Sequence, residues 1–310
     1  MRAYAALACV CFFWGTTYLG IRISLESYSP AMLMCLRYCV SGGVLLIGAL
    51  VTGARFPTPS ELRRTAFYGV ITIGLGTGSL AFSEQWVSSG LASLMVSTQP
   101  FWLVGVEAWM PGGERLHLPA FAGMVVGLVG VGVLIAPAAM NGGSGQDIRS
   151  QAMLGGFLLL QFGGMAWSWG SVAQRRLAGR AHPFVSGGIQ QLATGIAFAI
   201  PALVEPRHAV WNMQGMAAIL YLAVFGGIVG YSAFIYSMHH LPVALVSIYT
   251  YINPMVAVAL GWWFYREPFG WRETAAMAII FAGVAMVKRA SHTSARRSRP
   301  LEQESSIPIE

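Results

Sequence analysis

The chain has 310 residues, of which 55% are hydrophobic and only 10% charged, with a mean hydropathy of +0.60 and a formal net charge of +7. Soluble domains carry about 25% charged residues, so this composition excludes an ordinary water-soluble fold. The positive balance does not indicate nucleic acid either, because the basic residues fall between apolar runs rather than forming a patch; from His208 to Tyr265 there is no Asp, Glu, Lys or Arg at all.

A membrane-crossing helix needs roughly 20 mostly apolar residues. Runs of that kind are expected at 4–22, 31–52, 65–83, 91–109, 120–138, 152–173, 184–204, 214–237, 243–264 and 272–288, giving an all-α polytopic membrane protein of ten transmembrane helices. Breaks fall at Ser29-Pro30, Phe56-Pro57-Thr58-Pro59, Pro111-Gly112-Gly113, His182-Pro183, Glu205-Pro206 and Glu267-Pro268. The first run continues to Ile21 without a small-residue cleavage site, so it reads as a retained helix rather than a signal peptide. The tail from 289 to 310, with Arg296-Arg297-Ser298-Arg299, is too polar to pack and reads as disordered.

The second half of the sequence repeats the first. Trp14-Gly15 is matched with Trp169-Gly170, Arg37 with Gln190 and Ser41-Gly42 with Thr194-Gly195. Gln99-Pro100 is matched with Asn253-Pro254, Glu114 with Glu267 and Gly130-Val131 with Gly283-Val284. The repeats are set at 3–138 and 152–288, with a Gly/Asn/Ser-rich loop at 139–151 between them. Five crossings per repeat is an odd number, so the second copy is expected to enter the bilayer from the opposite side. Inverted repeats of this kind build one central site reachable from either face. Lys and Arg are more frequent in the segments sharing a side with the N-terminus than in the opposite loops, which predicts both termini cytoplasmic.

Candidate site residues follow from polar and aromatic groups at mid-depth. Each copy has a proline-kinked helix, Ser97-Thr98-Gln99-Pro100 with Trp102 beyond it, and Tyr249-Thr250-Tyr251-Ile252-Asn253-Pro254. Proline leaves a carbonyl near residue i−4 without its helical donor, so Gln99 and Asn253 either repair the kinks at Pro100 and Pro254 or face a wet cavity. Trp14, Thr17 and Tyr18 in the first run and Trp169 in the sixth either pack between helices or offer flat faces to a solute. Glycine-rich runs beginning at Gly74 and Gly226 allow close helix approach, and Ser79, Phe82, Tyr231 and Phe234 follow them.

Two charges lie inside helices. Arg37 is expected to snorkel or to pair with Glu84, and Glu107 to reach Arg115 or Arg176; the alternative for both is gating or coupling. Cys9, Cys11, Cys35 and Cys39 read as packing residues, with no metal and no cofactor expected. An intramembrane enzyme is disfavoured, because Gly142-Gly143-Ser144-Gly145 is a loop and no predicted helix holds a mid-depth histidine.

Phe13-Trp14-Gly15-Thr16-Thr17-Tyr18 through Leu36-Arg37-Tyr38 resembles the start of an EamA domain of the drug/metabolite transporter superfamily. Leu91 through Pro100 and Glu114 to Gly130-Val131 resembles its end. The resemblance implies a ten-helix exporter in which helices 1, 3, 4, 6, 8 and 9 surround a cavity and helices 5 and 10 are peripheral. It implies export of small metabolites such as amino acids or cationic drugs from the cell through its inner (plasma) membrane. Gln190 departs from the first copy's Arg37. A mid-depth lining of amides, hydroxyls and rings suits a small neutral, zwitterionic or amphipathic solute and suits sugar phosphates badly. A passive facilitator is the second reading. The expected partners are the substrate and the bilayer, with a monomer or weak dimer as the assembly.

Overall fold

Ser29 and Thr58 show how the sequence starts its helices. Ser29 Oγ accepts a hydrogen bond from the Met32 amide (3.2 Å), with Pro30 in the first turn. Thr58 and Glu61 form a reciprocal capping box, the Thr58 amide donating to Glu61 Oε2 at 2.9 Å. In the computed structural model, which describes residues 1–113, 116–142, 148–176, 182–205, 211–241, 243–246 and 248–297, these caps open α2 (Pro30–Val51) and α3 (Pro59–Ser83). The capping box places the start of α3 well before residue 65, where hydropathy alone had put it. Preceding both is α1 (Arg2–Leu25).

The first proline-bearing run is two helices, α4 (Ser89–Val96) and α5 (Gln99–Trp109), separated by Ser97-Thr98. It is followed by α6 (Leu118–Gly142), α7 (Ile148–Arg176), α8 (Pro183–Val204) and α9 (Met213–His240). The second proline-bearing run comprises the short α10 (Val243–Val246) and α11 (Tyr249–Tyr265), with Pro254 inside α11. The last helix, α12 (Trp271–Arg297), continues past Lys288; residues 298–310 of the expected tail lie outside the described residues, as do 143–147 of the expected inter-repeat loop and Glu114 and Arg115. No strand occurs among the described residues.

Among the described residues, six helices are long and apolar enough to cross a membrane: α1, α2, α3, the Leu118–Pro137 part of α6, α8 and α9. Large apolar side chains such as Val44, Ile47, Leu50, Val125, Leu128 and Val129 are exposed on the outside of the bundle. Lipid is the solvent that makes such a surface inexpensive. The fold is therefore that of an all-α polytopic membrane protein.

Contacts between the two halves come in exchanged pairs. Helix α1 packs on α9 and α11, and α7 packs correspondingly on α3, α4 and α5; α2 packs on α8, and α6 on α12. The last two contacts join each helix to its own counterpart, and repeat-matched glycines lie in both. A Cβ on Gly42 would stand 2.4 Å from the Leu192 nitrogen, and one on Gly195 2.6 Å from the Cys39 nitrogen. Likewise a Cβ on Gly130 would stand 2.9 Å from the Ile280 nitrogen, and one on Gly283 2.5 Å from the Gly127 nitrogen. Backbones approach to contact only where side chains are absent.

In α3 and α9 the glycine-rich stretches Val70–Leu75 and Leu222–Gly230 are π-helical. Such widened turns are frequent at functional sites. Here they lie against α7 and against α1 and α2 respectively.

Candidate functional site: a central cavity shared by both repeats

A cavity of about 200 Å³ lies between the two halves. Among the described residues, its lining comes from α1, α2, α3, α4, the Ser97-Thr98 break, α5, α7, α8, α9 and α11, and none from α6 or α12. The arrangement of the helices explains this: α6 and α12 are occupied with each other on the periphery, while the kinked and π-helical elements face inward.

Trp14 sits about midway along α1. Its Nε1 donates to the Gly226 carbonyl at 3.2 Å, inside the π-helical stretch of α9. Behind it stand Phe234, at 5.2 Å between ring centroids, and Tyr249, edge-on at 5.3 Å. Thr17 and Tyr18 line the cavity on the next turn. The Thr17 hydroxyl is taken up locally, donating to the Trp14 carbonyl at 2.6 Å.

Both proline-adjacent amides line the cavity and also tie helices together. Gln99 Nε2 donates to the Gly164 carbonyl (3.0 Å) and to Ser168 Oγ (2.7 Å), docking the start of α5 on α7. With its amide nitrogen turned toward them, Asn253 donates to the carbonyls of Tyr249 (3.1 Å) and Cys11 (2.9 Å), docking α11 on α1. At the first break, Ser97 and Thr98 hydroxyls donate to the Leu94 and Met95 carbonyls, both at 2.6 Å. Both amides thus face the cavity, but they differ toward their kinks: Asn253 bonds a carbonyl of its own helix, whereas Gln99 bonds only α7 and leaves the preceding turn to the Ser97 and Thr98 hydroxyls.

Of the other expected lining residues, Tyr231 and Tyr249 face the cavity, as does Pro254, expected only as a kink. Ser79, Phe82, Trp102, Trp169 and Phe234 do not form part of its lining. Ser79 packs against Gly163, and Trp102 Nε1 donates to Gln161 Oε1 at 2.9 Å. Trp169 is turned toward Tyr68 of α3, at 5.8 Å between ring centroids. Its place is taken by Trp167, which closes over Gly76 so tightly that a Cβ there would lie 2.8 Å from the indole. Two positions along a helix turn a side chain by roughly 200°, so both tryptophans cannot share one face.

Arg37 is brought to the cavity wall although it is only 6% exposed. Neither snorkelling nor the expected pairing with Glu84 is seen: Nε and Nη1 of Arg37 and both carboxylate oxygens of Glu84 are buried without hydrogen-bond partners. Glu107 lies elsewhere, at the end of α5, where its carboxylate pairs with Arg175 and, at 3.0 Å, with Arg176 of α7. That pair is partly solvent-exposed and ties α5 to α7 outside the cavity. Lys288 is turned back toward the site, its Nζ donating to the Thr250 hydroxyl at 2.8 Å and lying 4.3 Å from the Tyr251 ring centroid.

Gln191, a buried side chain of the site, was not among the expected residues. Gln191 of α8 lines the cavity, accepts from Ser41 Oγ at 2.5 Å and donates to the Gly227 carbonyl at 3.1 Å. Its neighbour Gln190, the match of Arg37, instead accepts from Gln174 Nε2 at 3.3 Å.

At the end of the bundle carrying the α1–α2 turn, Glu267 caps α4. It accepts from the Ser89 amide and hydroxyl, both at 2.9 Å, and from the Gly90 amide at 3.0 Å. Glu84 is fully buried nearby, just beyond the end of α3, with its backbone carbonyl accepting from Arg22 Nη1 at 2.8 Å. Burial first, and then the Glu267 charge, push the Glu84 carboxyl well above the usual carboxylate range, against a smaller opposing pull from Arg22.

Comparison with known proteins matches this arrangement. The model of the EamA-like transporter family fits twice, over residues 1–136 and 154–289. The uncharacterized inner membrane transporter YedA of Escherichia coli K12 is 29% identical over 287 residues, covering 92% of this chain and 90% of YedA. Protein PecM of Dickeya dadantii is 23% identical over 296 residues, covering 94% of each chain. A solved crystal structure of a protein 22% identical in sequence superposes with a TM-score of 0.63, covering 93% of this chain and 97% of that one, which supports the fold.

Proposed function

The chain belongs to the EamA-like transporter family, and from that premise we propose that it is a secondary transporter exporting small organic solutes across the inner membrane. The solute would occupy the central cavity, exposed alternately to the two sides as two inverted five-helix repeats rock against each other. The observation that carries this reading is the shared lining: Trp14, Arg37 and Gln99 from the first repeat meet Trp167, Gln191 and Tyr231 from the second around one space. A site made jointly by two bodies changes shape when those bodies move, whereas a site inside one body does not.

The walls of rings, amides and glycine backbone favour a solute with an apolar body and few polar groups, such as an amino acid or related amphipathic metabolite. The broken α4/α5 pair and the π-helical stretches of α3 and α9 supply elements able to flex without losing all their hydrogen bonds.

The test is solute exchange in proteoliposomes containing the full chain and loaded with a mixture of small metabolites. Saturable flux accelerated by solute on the far side is expected for a carrier; flux without that acceleration would mark a passive facilitator. Thr77→Trp, which fills the cavity from α3, is expected to abolish the exchange while the protein stays folded. Unchanged exchange in that variant would overturn the central cavity as the route.

A further inference from the structure

The geometry points to Arg37 as the seat for a carboxylate on the transported solute, so that the cavity selects singly negative or zwitterionic amphipathic acids over their neutral and cationic counterparts. This rests on the transporter reading above and narrows its substrate class.

Among the described residues that line the cavity, Arg37 is the charged one, and no Asp or Glu joins it there. Its Nε and Nη1 are buried and make no hydrogen bond, and the residue is 6% exposed. A guanidinium cannot shed its proton in a protein, so its charge stays in this low-dielectric setting whether or not a counter-ion is present. Intramembrane charges without a protein partner are rare and mark solute or ion pathways. The local packing sets the group at the cavity wall. The guanidinium rests over the Tyr38 ring, 4.9 Å from its centroid, and approaches Gly226 so closely that a Cβ there would lie 2.9 Å from Nη2. Gly226 thus leaves room for the fork at the cavity wall, while its carbonyl is already taken by Trp14 Nε1.

The planar fork of an arginine matches a carboxylate with two parallel hydrogen bonds. A lone arginine balances one negative charge, which fits a carboxylate better than a doubly charged phosphate. The indoles of Trp14 and Trp167 and the ring of Tyr231 provide flat apolar surface for the rest of the molecule. A cation would meet a like charge in the cavity with no carboxylate to offset it.

The experiment uses three probes with one phenyl body and different charges: 3-phenylpropionate, 3-phenylpropionamide and 3-phenylpropylammonium. Binding is read from the rise in thermal midpoint of the purified full chain in detergent. The acid is expected to bind about tenfold or more tightly than the amide, with the ammonium weakest. Arg37→Gln, which installs the residue type found at the matched position Gln190, is expected to erase that order, and Arg37→Lys to retain part of it. Glu84→Gln is expected to leave the order intact, since Glu84 makes no bond to Arg37.

Equal binding of all three probes, binding of none at millimolar concentration, or the same charge order in Arg37→Gln would each overturn the assignment. Loss of the order in Glu84→Gln as complete as in Arg37→Gln would overturn it too, by showing that an Arg37–Glu84 pair governs binding. Proteoliposomes separate this from the parent proposal. Exchange of neutral or cationic solutes without acid preference removes the seat and leaves a transporter, whereas acid-selective binding with no exchange of any solute removes transport and leaves the seat.

Discussion

Ser41 Oγ lies 2.5 Å from Gln191 Oε1, joining α2 of the first repeat to α8 of the second in a fully protein-lined contact. Gln191 passes the connection on to the Gly227 carbonyl of α9. One buried amide therefore holds three helices at the rim of the cavity. Interhelical hydrogen bonds in membrane proteins average about 0.6 kcal/mol in coupling energy, so a Ser41→Ala/Gln191→Leu double-mutant cycle in thermal unfolding should show coupling of about that size. Additive effects would mean that the short contact carries no energy of its own.

The helix-docking amides should matter for transport beyond their effect on stability. Gln99→Leu removes the bonds to Gly164 and Ser168, and Asn253→Leu those to the Tyr249 and Cys11 carbonyls. Each variant is expected to lose roughly 1–3 kcal/mol of stability from carbonyls left unsatisfied and most of its solute exchange. Normal exchange by folded protein of both variants would remove these amides from the transport site.

Glycine positions predict a sharp contrast. Gly42→Ala places a methyl 2.4 Å from the Leu192 nitrogen, a clash with backbone that only separation of α2 from α8 relieves. Overpacking of this kind costs about 1–3 kcal/mol or more. Gly43→Ala meets nothing within 4 Å and should be neutral or slightly stabilising. Thermal midpoints of the two neighbours, measured in the same detergent, check the difference; similar midpoints would contradict the tight α2–α8 approach.

Glu84 gives the stability a pH dependence. Its carboxyl is raised by burial and by Glu267, so the fold favours the protonated form. For an acid raised in this way the stabilisation is complete below its unfolded pKa and is lost as pH rises through the folded value. The thermal midpoint should fall from mildly acidic toward alkaline conditions, and Glu84→Gln should flatten that fall. An unchanged pH profile in the variant would show that Glu84 is not the titrating group.

Much of the architecture was legible because lipid enforces long apolar runs and proline and glycine punctuate them. The site was legible less evenly. Gln99, Asn253, Trp14 and Tyr231 could be found because they interrupt apolar helices at mid-depth. The Trp169-Gly170 pair looks like Trp14-Gly15, which points to Trp169. The spacing that relates Arg37 to Gln190 and Gly42 to Gly195 selects Trp167 instead, and the cavity agrees. Gln191 was hidden beside Gln190, since adjacent residues differ by about 100° around a helix and only the packed structure shows which one turns inward. Arg37 was visible as a charge, but its lack of a partner depended on the actual distance to Glu84, which no sequence pattern reports.

The two glycine-lined contacts, α2 with α8 and α6 with α12, set a helix against its own duplicate. In both contacts the pairing is reciprocal: Gly42 meets the backbone at Leu192 while its match Gly195 meets the backbone at Cys39, the counterpart of Leu192, and Gly130 meets Ile280 while its match Gly283 meets Gly127, the counterpart of Ile280. A methyl on any of these four glycines would press on backbone of the opposite copy, so bulk is barred on both sides of each seam even where the surrounding residues of the two copies differ.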